Sequence, residues 1–235
     1  MGSDLWGAIG AATGLVATGD AKLFAIVALS LQVSLSAVLI AAVLGLPLGA
    51  LVALARFPGR DAVVVVLNAM MGLPPVVVGL VVYLLLSRAG PLGPLGLLFT
   101  PGAMVIAQAI LILPIVAALA RQIVEDAWRD YREPLRSLGA TQAQAAFTLI
   151  WDTRFALATV VLAGFGRAAA EVGAVMIVGG NIDGVTSTMT TAIALETSKG
   201  DLPLALGLGI VLVGTILAVN ALAGTIKIYA ERRLG

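Results

Sequence analysis

The sequence predicts an all-α membrane protein that crosses a lipid bilayer about five times. Three observations predict it. The chain is 60% hydrophobic and only 11% charged, whereas a soluble domain carries roughly 25% charged residues, so there is too little polar surface to face water. Its apolar residues gather into five stretches that reach or approach the roughly 20 residues a helix needs to cross hydrocarbon. Its basic residues fall mainly on one side of those stretches, as the positive-inside rule requires. Unpaired strand edges cannot survive in lipid, so the spans are expected to be helices.

In chain order the expected spans are Leu23–Ala55, Ala62–Ser87, Gly102–Ala120, Phe155–Gly180 and Leu202–Ile226, within a single transmembrane domain over residues 1–235. The connections differ in character. Arg56–Asp61 is a short basic turn, Arg88–Pro101 is rich in Pro and Gly, Arg121–Arg154 is long and amphipathic, and Gly179–Asp201 is rich in hydroxyls. With five spans, one side collects Arg56, Arg60, Arg121, Arg129, Arg132, Arg136, Arg154, Lys227, Arg232 and Arg233, and the other only Lys22, Arg88 and Lys199. This places the 121–154 loop and the C-terminus in the cytoplasm and the N-terminus outside. Leu5–Ala17 is apolar but short and contains three Gly; it reads as an outer-surface segment, with a sixth span as the alternative. Met1–Asp20 has no Lys or Arg, so no cleavable signal peptide is expected.

Gly and Pro punctuate the spans. Gly45, Pro47 and Gly49 are expected to interrupt the first, and Gly72, Pro74 and Pro75 the second. Proline removes a helix donor and bends the axis. Such breaks occur in membranes where backbone is buried in protein or lines a cavity, so the second is either part of a substrate path or ordinary tolerance of these residues.

Several function classes drop out. There is no Cys and no His, which removes disulfides, thiolate and imidazole metal ligands and the commonest general base. No carboxylates cluster at ligand spacing within the spans, so no metal or other cofactor is expected. A net charge of +1 gives no sign of nucleic-acid binding. No phosphate-binding Gly-xxxx-Gly-Lys-Ser/Thr loop is present, so the chain is not itself an ATPase.

The Arg121–Arg154 loop carries the first functional signal. Ile123, Ala127, Trp128, Tyr131, Leu135 and Leu138 recur at roughly helical spacing. Pro134 suits the first turn of a short new helix beginning near Glu133. Gly139 suits the left-handed residue that ends a helix, and Thr141 can cap a second helix over Gln142–Leu149. The result is a helix–turn–helix knob on the membrane surface. It is either a docking element for a cytoplasmic protein or a connector with no partner.

The run from Glu133 through Pro134, Leu135 and Leu138 to Gly139, Ala140 and Thr141 resembles the EAA loop of ABC importer permeases. Pro134 and Leu135 stand where the family has two alanines, and Leu149–Asp152 replaces its Ile-x-Leu-Pro ending. The stretch Gly164–Ile182 is similar to the fourth-span signature of oxyanion permeases, with Arg167, Glu171 and Gly173 followed by Gly180-Asn181-Ile182. Met189–Gly200 is similar to tungstate-type permeases. The resemblance runs from about Leu29 to Asn220. It implies a MetI-like ABC importer permease fold and an ATP-driven pore subunit for a tetrahedral oxyanion, tungstate first, with molybdate or sulfate as alternatives. It also implies a homodimer, two copies of a cytoplasmic P-loop ABC ATPase docked on residues 133–141, and an extracytoplasmic oxyanion-binding protein. The loop holding Asn181, Thr186, Thr188, Thr190 and Thr191 would help form the outer gate or contact substrate weakly.

Arg167 and Glu171 are the charges expected inside a span. A charge at the bilayer centre costs at least about 2.5 kcal/mol. Four residues apart, the two share a helix face and can pair, and Gly164, Gly166, Ala168 and Gly173 allow close helix approach. Arg167 either offers charge to an oxyanion or is internal glue neutralised by Glu171. The rival classes are an ion-coupled secondary transporter, which would show midplane carboxylates, a membrane-embedded enzyme, and an assembly subunit of a larger complex.

Overall fold

A computed structural model describes residues 6–7, 9–10, 13–14 and 21–234; the expected outer segment over residues 5–17 lies mostly outside them. The described residues form nine α-helices: α1 (Ala21–Leu54), α2 (Arg60–Met70), α3 (Pro75–Leu86), α4 (Pro101–Ser137), α5 (Gln142–Asp152), α6 (Arg154–Ala169), α7 (Gly173–Gly179), α8 (Met189–Lys199) and α9 (Leu202–Leu234). No strand occurs among them.

Within α1, α4 and α9, Leu23–Leu54, Pro101–Ser137 and Leu202–Tyr229 are long and apolar enough to cross a membrane. Two further pairs qualify only together: α2 with α3, bent by 99°, and residues 143–152 of α5 with α6, bent by 76°. Among the described residues there are thus three to five candidate spans, and the expected five is reached when each bent pair is one span.

Several boundaries differ from expectation, each for a local reason. The second stretch, 62–87, is not one helix, because Gly72, Pro74 and Pro75 turn the chain between Met70 and Pro75, and Leu73 N–H reaches back only to Met70 O. The first stretch is uninterrupted: α1 runs straight through Gly45, Pro47 and Gly49. Those glycines serve packing against α4 instead. A Cβ on Gly45 would lie 3.2 Å from Leu113 O, and one on Gly49 only 2.5 Å from Ala117 O and 2.9 Å from Arg121 N.

The third helix does not stop at Ala120. α4 is one helix of 37 residues, Pro101–Ser137, with Pro114 and Pro134 inside it, so no new helix starts at Glu133. Pro134 has no N–H to offer Asp130 O, so α4 passes through it with that one bond missing. The fourth stretch, 155–180, is broken at residues 170–172, between α6 and α7. The hydroxyl-rich loop contains a helix of its own, α8. The C-terminal helix runs on past Ile226 to Leu234.

α1 packs lengthwise on α4 and the core lies between them. Ala37, Ala41, Ala109, Ile112 and Val116 meet α6 residues Val160, Phe165 and Ala168 there. Toward the other end, Val33 packs with Val78 and Val82 of α3, Met104 and Ala107 of α4, and Val175 and Val178 of α7. The last turn of α1 is tied down by the basic turn that follows: Arg60 Nε donates to Val52 O at 2.9 Å, satisfying a carbonyl that a helix end leaves open. Arg60 also pairs with Glu125 of α4 at 3.3 Å. α9 is the outermost span, with only 17% of its most apolar window buried. Leu206, Ile210, Val213 and Leu217 stand exposed along it, a surface suited to lipid and unsuited to water.

Candidate functional site

Two sites emerge, one inside the bundle and one at the end of α4. The inner site is the break after α6. Arg167, in the last turn of α6, places Nη1 2.6 Å from Glu171 Oε2. The two do not share a continuous helix as expected, since Glu171 lies beyond its end. The pair therefore spans the break. Glu171 Oε1 accepts from Ala174 N–H at 3.1 Å, so one carboxylate joins the end of α6 to the first turn of α7, where helix amides lack internal partners. The burial is unequal: the Glu171 side chain is 4% exposed and that of Arg167 35%.

Three polar side chains from other elements secure this break. Gln108 of α4 donates through Nε2 to Ala168 O at 3.1 Å. Thr190 of α8 donates to Glu171 O at 2.8 Å. Ser30 of α1 accepts from Met189 N–H at 2.8 Å. The break also meets its counterpart in the α2–α3 pair. A Cβ on Gly173 would lie 3.1 Å from Val76 Cγ2, and one on Gly79 2.8 Å from Ala174 Cα. Two interrupted helices thus touch backbone to backbone close to the charge pair, an arrangement that tends to line or gate a path in transport proteins.

The threonines of the 181–191 segment are drawn inward. Thr186 is fully buried, donating to Gly179 O at 2.6 Å and accepting from Ile182 N–H at 2.9 Å. Thr188 and Thr191 form the capping box that starts α8, and Thr190 is committed to Glu171. In this conformation these hydroxyls serve backbone and one another and offer no open face. Asn181 takes a left-handed backbone at φ 47 beside Gly180, and its Nδ2 lies 3.4 Å from Thr191 O. Phe99 also sits at positive φ, 62, which costs a bulky residue of order 1–3 kcal/mol. It is held there because its N–H donates to Val178 O, while its ring packs edge-on to Tyr83 and against Gly180. Sequence reading singled out none of Phe99, Tyr83, Gln108 and Ser30. Only the positive φ marks Phe99, and a lone Gln in an apolar run was the one available hint for Gln108.

The second site is the turn between α4 and α5. Gly139 has φ +70. Gly139 N–H donates to Arg136 O and Ala140 N–H to Leu135 O, the double closure that ends a helix on a left-handed glycine. Thr141 then caps α5 reciprocally with Gln144. Thr141→Ala is expected to cost about 1 kcal/mol of local helix stability, read as roughly fivefold faster amide exchange in the first turns of α5. The inner face of this knob is well packed, with Leu135, Ala145 and Leu149 lying against Ala50, Ala53, Leu54 and Val124. Its outer face is apolar yet open: Leu138 is 82% exposed, Phe147 73% and Trp151 63%. Glu133, Pro134 and Gly139 are exposed beside them. At the bend into α6, Arg154 stacks on Phe155 and Trp151.

Residues 45–235 match the family of the binding-protein-dependent transport system inner membrane component. This chain belongs to that family. It is a multi-pass membrane permease of the ABC importer type, and transport rather than catalysis is its role. Three relatives illustrate the likeness. A Haloferax volcanii protein named "Probable anion ABC transporter permease protein" is 42% identical over 94% of this chain and 99% of its own length. The tungstate uptake system permease protein TupB of Peptoclostridium acidaminophilum is 41% identical over 90% of this chain and 92% of its own. The sulfate transport system permease protein CysW of a Synechocystis strain is 31% identical over 93% and 80%. The Arg167–Glu171 break and the α4–α5 turn both lie within the family match, Ser30 lies before it, and its first residue, Gly45, is itself one of the glycines packed against α4.

Proposed function

We propose that this permease is the pore subunit of an ATP-driven importer of a tetrahedral oxyanion, with tungstate as the cargo. The observation that carries the cargo is the 41% identity to a tungstate uptake permease across nearly the full length of both chains. The more distant likeness to a sulfate permease keeps sulfate, with molybdate, as the second reading. Membership of a binding-protein-dependent family argues against an ion-coupled secondary carrier. Uptake of labelled tungstate by cells carrying the permease, challenged with excess molybdate or sulfate, separates the readings. Competition by sulfate equal to that by unlabelled tungstate would contradict a tungstate permease.

The motor is a separate P-loop ABC ATPase docked on the 133–152 knob, a cytoplasmic position that the distribution of basic residues supports. The open apolar face at Leu138, Phe147 and Trp151 supports this, because such a face in water needs a protein partner. The knob is coupled to the pore by stiff elements. α4 has 37 residues, about 55 Å at the helical rise, and carries both the knob at one end and Gln108 nearer the other. α5 bends directly into α6, whose far end is the Arg167–Glu171 break. Movement of the knob is thereby transmitted to the break.

Two copies of the permease form the pore, supplied by an extracytoplasmic binding protein. Arg167 supports a second copy or an aqueous path, because its exposed third cannot face hydrocarbon. A pore that releases its cargo must not hold it tightly, which suits a guanidinium already neutralised by Glu171. Leu138→Asp, at a solvent-exposed position, is expected to leave thermal stability unchanged and weaken association with the ATPase more than tenfold. Co-purification measures this, and unaltered recovery of the ATPase would count against the docking assignment.

A further inference from the structure

A polar cavity with room for a single water molecule lies between α1, α4, the end of α6 and the start of α8. Ser34, Gln108, Ala168, Glu171 and Thr190 are among its walls. Gln108 is 4% exposed. Its amide orientation is fixed, because Nε2 must be the atom facing Ala168 O. Oε1 is then left buried without a partner. Ser34 of α1, also 4% exposed, lines the same space. The unpaired Gln108 oxygen and the Ser34 hydroxyl, on neighbouring helices, thus border one small space. Leaving a buried amide acceptor unsatisfied is costly enough that native structures seldom do so.

We propose that this cavity is a hydration site whose one ordered water donates to Gln108 Oε1 and bonds the Ser34 hydroxyl, tying α1 and α4 together at the level of the helix break. The chemistry selects water over the other small ligands. An oxyanion is excluded because Oε1 is an acceptor, the Glu171 carboxylate lies in the wall, and the space is too small. A cation is disfavoured because both Glu171 oxygens are engaged, one by Arg167 and one by Ala174 N–H, which leaves only neutral oxygens. The water site does not depend on which oxyanion the pore conducts.

The test has two arms on the full-length permease. A wild-type density map that resolves ordered water should show a peak about 2.7–3.2 Å from Gln108 Oε1. Thermal midpoints of Ser34→Ala, Gln108→Leu and the double variant should be non-additive, the double variant losing about 2–4 °C less than the sum of the single losses. If Gln108→Leu does not fold, the map of Ser34→Ala alone decides, and the peak should weaken or shift toward Gln108. An empty cavity among well-ordered neighbours, strictly additive losses, or a peak held by several oxygens at under about 2.6 Å, the signature of a cation, would each overturn the proposal.

Discussion

Glu171→Ala is expected to abolish uptake and to lower the thermal midpoint of the permease by about 6–12 °C. The substitution removes three things together: the partner of Arg167 at 2.6 Å, the acceptor for Ala174 N–H, and the strap across the α6–α7 break. Removing one member of a buried ion pair costs about 3–5 kcal/mol because the other charge is left uncompensated. The lower end applies here, since the Arg167 side chain is 35% exposed and part of its charge stays solvated.

The companion variants rank by what they leave behind. Glu171→Gln keeps an acceptor for Ala174 but loses the charge, and should fall between wild type and Glu171→Ala. Arg167→Ala leaves Glu171 its bond from Ala174 N–H. It is expected to impair assembly or coupling of ATP hydrolysis to transport while leaving the preference among oxyanions unchanged. An assembled Arg167→Ala permease with normal coupled ATPase and altered oxyanion preference would instead make Arg167 a selectivity residue.

Gly49→Leu is the second large effect expected, because it separates the two longest-packed helices of the bundle. The Cβ of any side chain here would fall 2.5 Å from Ala117 O and 2.9 Å from Arg121 N. Both are backbone atoms of α4 and cannot rotate away as a side chain can. Overpacking a core costs about 1–3 kcal/mol even where side chains can yield, so a permease that fails to accumulate in the membrane is the expected result, and Gly49→Ala should already be destabilised. Gly166 is the matched control. It lies near the end of α6 with nothing within 4 Å of its would-be Cβ, so Gly166→Ala should be neutral or slightly stabilising, by up to about 1 kcal/mol. Comparing membrane levels and thermal midpoints of the three variants checks the ranking.

That contrast also shows how far the sequence could be read. Composition and span length were enough for a helical membrane bundle, and the knob was legible because its signals are local: Gly139 ends one helix and Thr141 starts the next within three residues. The Arg167–Glu171 pair was legible from spacing, although a helix break intervenes between the two. What sequence could not separate was a glycine that bends a helix from one that admits a neighbour. Gly45 and Gly49 do the second and Gly72 accompanies the first, and only the partner helix distinguishes them. The 186–191 hydroxyls read as a polar loop because nothing local says that Glu171 O and Gly179 O need donors. Pro134 read as a helix start because its sequence does not reveal that α4 has only one turn left to run.

Reconstitution tests the central account most directly. The purified permease is placed in liposomes with its candidate ATPase enclosed or exposed on the knob side, and the oxyanion-binding protein loaded with labelled tungstate on the other. Accumulation of tungstate is predicted only when ATP, the ATPase and the binding protein are all present, and it should be lost with Leu138→Asp. Accumulation by the permease alone, without ATP, would contradict an ATP-driven pore that conducts its cargo from a binding protein.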